Sequence, residues 1–236
     1  MRNWDEEIAS RIKGWQRDSR LPEPASAPPT QRVADAAREK YRRDWRRVKR
    51  ARFNASKRLE RKDEASMMAL AMAGMFGFII PYFVEVFEET ISQHLVNVLD
   101  FTSFIAGGLS LVVGLIELSK DYKTRAAALH RCGLRVNKCV RALEARPNLE
   151  QSGLDKIVSS YELALEECGE NHNSVDDKLG VVRDRLKQVA SPEERKQAGR
   201  ALTLLRLREL IDIYCLYLLI WLAPIAIGIL VWYRFE

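Results

Sequence analysis

Residues 67–84 read MMALAMAGMFGFIIPYFV, with no charge in the run. An α-helix rises about 1.5 Å per residue, so roughly 20 apolar residues cross a ~30 Å hydrocarbon core. A second run, FTSFIAGGLSLVVGL at 101–115, lies between Asp100 and Glu117 and needs residues 96–99 to reach full length. A third, IYCLYLLIWLAPIAIGILVWY at 213–233, is long enough by itself. The alternative for each is a helix buried in a soluble domain, where helices apolar all round also occur.

Outward from these runs, charge is segregated. Lys and Arg are absent from residues 63–119 and 209–233. The other 154 residues hold all 38 Lys and Arg against 23 acids, a net of +15 in a chain whose formal charge is +6. This excludes an ordinary globular domain and disorder, and points to a multi-pass membrane protein with its basic parts on one side. Cations crowd residues 38–62 and recur at Lys120, Lys123, Arg125, Arg131 and Arg135, whereas the 86–95 connection has none. The positive-inside rule places the N-terminus and residues 119–210 in the cytosol, the 86–95 loop outside, and the C-terminus outside after the third span. The first 31 residues, charged and proline-rich, do not read as a signal peptide. Cys132, Cys139 and Cys168 fall in the cytosolic part and Cys215 at the inner end of a span, without a CxxC, so reduced thiols are expected.

Small residues recur every fourth position in span one (Ala69, Ala73, Gly77) and in span two (Ala106, Ser110, Gly114). Such stripes let helix backbones approach closely in lipid, either within one hairpin or between protomers of a homo-oligomer. Asp100, Glu117 and Asp212 stand at span ends, where water remains within reach, so they signal an ion path only weakly. No span is lined with polar residues, and a pore would have to be oligomeric.

Outside the spans the pattern predicts helices packed at shallow angles. Tyr122, Ala126, Leu129, Gly133, Val136, Val140 and Leu143 alternate by four and three, predicting that span two continues as one helix to about Arg146. Tyr41, Trp45, Val48, Arg52, Ala55 and Leu59 repeat the spacing before span one, with Arg52 interrupting the apolar stripe. Leu154, Ile157, Tyr161, Ala164 and Cys168 form another seam, and Val175, Leu179, Val182, Leu186 and Val189 a fourth. Pro147-Asn148 and residues 169–173 read as breaks. Ser191-Pro192-Glu193-Glu194 reads as a helix start in which Glu194 closes a capping box. No strand pattern occurs, so the fold class is all-α. The predicted layout is a short amphipathic helix at 1–20 and a proline-rich linker at 21–31. A basic cytosolic helix follows at 32–64, a transmembrane hairpin at 65–118, a cytosolic helical bundle or coiled coil at 119–210, and a third span at 211–233. Trp4, Ile8, Ile12 and Trp15 share one face of the first helix, which could dock on a membrane, a partner or this chain's own bundle.

Enzymatic signatures are missing: no phosphate loop, dinucleotide glycine pattern, HExxH or GxSxG occurs. His130, Cys132, Cys168 and His172 match no zinc spacing, so neither metal nor cofactor is expected. The basic helix offers Arg46, Arg47, Lys49, Arg50, Lys57, Arg58, Arg61 and Lys62 to phosphates. Beside a span, anionic lipid headgroups are favoured over nucleic acid as their contact.

Three stretches carry a resemblance to a known family: FNASKRLERKDEAS leading into the hairpin, LSKDYKTRAAALHRCGLRVNKCVRALEA after span two, and YELALEECGENHNSVDD. In the last, Tyr161 precedes Glu170, Asn171, His172 and Asp176. Together they resemble the SLATT family, two-transmembrane effector domains found beside second-messenger synthases and SLOG sensor proteins. The match covers about residues 35–190, and this chain would be a member with an added C-terminal span. The resemblance implies a bacterial antiphage or conflict system in which the domain permeabilises the inner membrane and arrests the infected cell. It also implies a sensor or signal-generating partner from the same operon. A non-enzymatic membrane scaffold, recruiting a cytosolic partner or nucleic acid through residues 1–62, is the competing function.

Overall fold

The computed structural model describes Ser10 and residues 29–87, 89–146 and 150–235. Six long helices follow one another, with no strand among the described residues: α1 (Pro29–Val86), α2 (Gln93–Ser119), α3 (Tyr122–Ala145), α4 (Gln151–Glu166), α5 (Ser174–Gln188) and α6 (Pro192–Phe235). The fold is all-α. The expected N-terminal helix with Trp4, Ile8, Ile12 and Trp15, most of the linker, Glu88 and Pro147-Asn148 lie outside the described residues, Ser10 being helical. The basic helix begins at Pro29 rather than at 32, consistent with proline at a first helical position.

The chain divides into two compact units. The first comprises Met1–Arg58 and Thr124–Glu209. One part of its core joins Trp45 of α1 to Cys132, Val136, Cys139, Val140 and Leu143 of α3 and to Leu154 and Ile157 of α4. Another joins Val175, Leu179 and Val182 of α5 to Leu202 and Leu205 of α6. Every position of the 122–143 seam is buried, because a spacing of 3.5 residues keeps one face inward. At Gly133 the packing is close enough that a Cβ would come within 3.2 Å of the Phe53 ring. After α4 the chain turns at Gly169, whose φ of 62° suits a residue without a Cβ.

The second unit comprises Leu59–Lys123 and Leu210–Glu236. Two helical stretches, one ending at Val86 and one starting at Gln93, are long and apolar enough to cross a membrane, and only 17% of each apolar window is buried. Phe78 is 81% exposed, Phe104 77% and Leu118 80%. A core helix of a soluble domain hides such side chains, whereas a helix in lipid displays them. Pro81 sits inside α1 without ending it. Ser92 opens α2, its hydroxyl accepting from the Leu95 amide at 3.3 Å. Residues 213–233 form a continuous part of α6, with Ile213 and Tyr217 buried.

One expectation is overturned. Span two does not continue as an unbroken helix: α2 ends at Ser119, the Lys120 amide donates back to Glu117 and Leu118, and Asp121 takes a φ of 42° before α3 starts. Aspartate tolerates the left-handed conformation better than most residues, so no glycine or proline marks the break.

Candidate functional site

The hairpin's small residues sit where helices meet. Ala69 and Ala73 of α1 are buried with Tyr217 of α6, beside Ala65, Val113 and Trp221. Ser103 lies 3.5 Å from the Gly77 carbonyl, to which its hydroxyl donates. A Cβ on Gly114 would lie 3.4 Å from Leu70. Ala106 is buried and Ser110 half-buried. The stripes are thus largely occupied within one chain, partly by α6, a contribution that nothing in the sequence pattern singled out.

Of the span-end acids, Asp100 is exposed, Asp212 pairs with Lys62 at 3.1 Å, and Glu117 is buried. The Glu117 carboxylate accepts from Lys120 Nζ at 2.5 Å and from the Tyr217 hydroxyl at 2.8 Å. A buried carboxylate needs such donors, since burying an unpaired charge costs several kcal/mol.

In the first unit, the basic face of α1 meets acids of α3 and α5. Arg46 pairs with Glu144 at 2.6 Å, Arg47 Nε donates to Asp177 at 2.6 Å, and Arg50 pairs with Asp184. Arg58 grips Asp176 in a fork, Nε and Nη2 each 3.1 Å from a carboxylate oxygen. Lys49 donates to Asn137 at 3.2 Å. Five of the eight cations expected at lipid headgroups (Arg46, Arg47, Arg50, Arg58 and Lys62) therefore have carboxylates of their own chain as partners. Lys57 and Arg61 are exposed. The hydrogen bond to Asp177 raises the Arg47 pKa, while burial lowers those of Lys49 and Arg50.

Three motif residues meet α1 on different faces, Asp176 at Arg58 among the basic residues, and Tyr161 and Glu170 at Trp45 and Arg52. Asp176 is fully buried, and besides gripping Arg58 its carboxylate accepts the Asn173 amide at 3.0 Å, fastening the start of α5. Its carbonyl accepts from Asn54 Nδ2 at 2.9 Å. Glu170 is held at both ends: its carbonyl accepts from Arg52, and its carboxylate takes a two-pronged contact from Arg125 at 2.9 and 3.0 Å. Arg52, which interrupts the apolar stripe in sequence, is buried and anchors this turn. Asn171 Oδ1 accepts the His172 amide at 3.0 Å. Burial, then the nearby Arg52 charge, lowers the His172 pKa from its ordinary 6.5. Tyr161 stacks on Trp45 with ring centroids 4.6 Å apart, and burial pushes its hydroxyl pKa to about 12. His130 packs edge-on against Phe53. Glu194, expected to close a capping box, has its carboxylate 3.2 Å from Arg185.

The model of SMODS and SLOG-associating 2TM effector domain family 5 matches residues 34–230, and the chain belongs to that family. It is a membrane effector domain. No curated protein and no solved structure matches the chain.

Proposed function

We propose that the protein is a gated membrane effector of a bacterial conflict system, acting as a homo-oligomer that permeabilises the inner membrane and arrests the infected cell. In this reading three segments cross the bilayer, the third at 213–233, with the N-terminus cytosolic and the C-terminus outside. A sensor or signal-generating partner releases it, and no catalytic step is needed. The observation that carries the reading is the division of the hairpin surface. Ala69 and Ala73 are buried, whereas Phe78, Phe104 and Leu115 are displayed outward. A helix pair with a small-residue seam and a broad apolar exterior suits both a lipid environment and further helix–helix contacts.

The competing scaffold reading needs free cations on the basic helix, and the internal pairing of Arg46, Arg47, Arg50 and Arg58 weighs against it. The deciding experiment is release of a trapped dye from liposomes of anionic lipid containing the purified chain, paired with growth arrest on expression. Release and arrest are expected, and Ala73→Leu, which forces a larger side chain into the seam, is expected to reduce both at least about tenfold. Liposomes that stay sealed under every trigger tested, together with normal growth, would overturn the proposal.

A further inference from the structure

Two cysteines of the first unit lie against each other. Cys132 is on α3 and Cys168 in the turn after α4, and Cys168 packs against the core cluster that contains Cys132. The approach is reciprocal. Cys132 Sγ lies 3.5 Å from the carbonyl of Ala164, four residues before Cys168, and Cys168 Sγ lies 3.9 Å from the carbonyl of Ala128, four residues before Cys132. Each sulfur therefore reaches across to the other's segment. Arg52 Nη1 is 3.6 Å from Cys168 Sγ, and the Glu170 carbonyl lies at the same 3.6 Å.

We propose that Cys132 and Cys168 form a redox-modifiable dithiol that hydroperoxide oxidises to a disulfide, tying α3 to the turn that carries Glu170 and His172. Accessibility assigns the order of events. Cys168 is half-buried and reachable, while Cys132 is 2% exposed. Burial also pushes the Cys132 thiol up to about 11, which keeps it protonated until a reactive sulfur is beside it.

In the first step Cys168 sulfur attacks one oxygen of hydrogen peroxide. The S–O bond forms, the O–O bond breaks, and the departing hydroxide takes the thiol proton and leaves as water, while the Arg52 guanidinium beside Cys168 Sγ stays protonated and stabilises the developing negative charge. In the second step Cys132 sulfur attacks the sulfenic sulfur of Cys168. The S–S bond forms, the S–O bond breaks, and the hydroxyl leaves as water with the Cys132 proton. Two thiols are oxidised by two electrons in all, and one peroxide is reduced to two waters. Closing the bond to about 2.05 Å shifts Cys168 Sγ from its present contacts with Arg52 and the Glu170 carbonyl, so the Glu170–His172 turn is the part that responds.

The test uses the full chain in lipid nanodiscs, exposed to hydrogen peroxide, blocked with a maleimide and mapped by mass spectrometry without reduction. The expected product is a Cys132–Cys168 linked peptide, reversed by dithiothreitol and formed at least about tenfold faster than any change at Cys139 or Cys215. In Cys132→Ala, Cys168 is expected to accumulate sulfinic acid. The inference is overturned if the wild-type chain yields no linked peptide, or if Cys139 or Cys215 oxidises first. The wild-type map decides the question even if the variant does not fold.

Discussion

The Tyr217 hydroxyl donates to the Glu117 carboxylate across 2.8 Å, fastening the last helix to the end of the second at a side chain 3% exposed. Lys120 supplies the opposite charge at 2.5 Å, so the tyrosine provides direction rather than neutralisation.

Removing the hydroxyl alone leaves that carboxylate with one donor fewer. Tyr217→Phe is expected to cost about 1–2 kcal/mol, the range for removing one partner of a buried hydrogen bond. Thermal unfolding in detergent measures it. Combined with Glu117→Gln, the two losses should be less than additive, and strict additivity would show that the bond contributes nothing.

Asp176 is the most demanding position of the first unit. Asp176→Ala takes away the fork that Arg58 grips and removes the acceptor for the Asn173 amide, whereas Arg58→Ala takes the forked cation from a buried carboxylate. Each is expected to cost about 3–5 kcal/mol, the range for breaking one side of a buried pair. Denaturant unfolding followed by helical circular dichroism reads the loss. Arg61→Ala, on an exposed neighbour, should stay within about 0.5 kcal/mol.

His172 sets a pH dependence with a defined sign. Burial and the Arg52 and Arg47 charges depress its folded-state pKa below 6.5, against the weaker opposing pull of Asp177 and Asp176. The folded state therefore prefers the neutral ring. Its stabilisation is complete above 6.5 and is lost as pH falls from there through the lower folded-state value. Thermal midpoints recorded between about pH 7.5 and 5.5 should fall further for the wild-type chain than for His172→Gln, which cannot gain the proton. Equal slopes would assign the acid sensitivity elsewhere.

The stacked rings of Trp45 and Tyr161 separate area from polarity. Trp45→Ala empties the centre of the larger cluster and is expected to cost about 3–5 kcal/mol. Tyr161→Phe keeps the stacked ring and should cost less than about 1 kcal/mol. Denaturant midpoints of the two variants test this, and similar losses would mean that the Tyr161 hydroxyl, not the stacking, matters.

How far the sequence foretold this can be argued from single residues. The seam from Tyr122 to Leu143 was legible because periodic burial is a local property, written every three or four residues. Arg52 was visible only as an interruption, since its partner, the Glu170 carbonyl, lies 118 positions away. The basic face of α1 invited lipid for the same reason: Asp176 and Asp177 are 118 and 130 residues from Arg58 and Arg47. A run of like charge says that counter-charge is needed, but not whether lipid or protein supplies it. The break at Asp121 escaped notice because the heptad spacing began afresh at Tyr122, and the turn used neither glycine nor proline. The proximity of Cys132 to Cys168 was not foreshadowed, since Cys168 ends the 154–168 seam but Cys132 lies off the Tyr122–Leu143 seam, and their register across two helices is a tertiary fact.

The bonds made by Asp176 also limit how such a chain can diverge. A longer glutamate could still reach the Asn173 amide, as it does in other capping boxes, but it adds a methylene to a fully buried site and changes the register of the carboxylate against the Arg58 fork. Substitution at 176 alone therefore carries a large stability loss, which a matching change at position 58 would relieve. In an alignment of descendants, positions 58 and 176 should be inherited or replaced as a pair, while exposed neighbours such as Lys57 and Arg61 vary independently of each other.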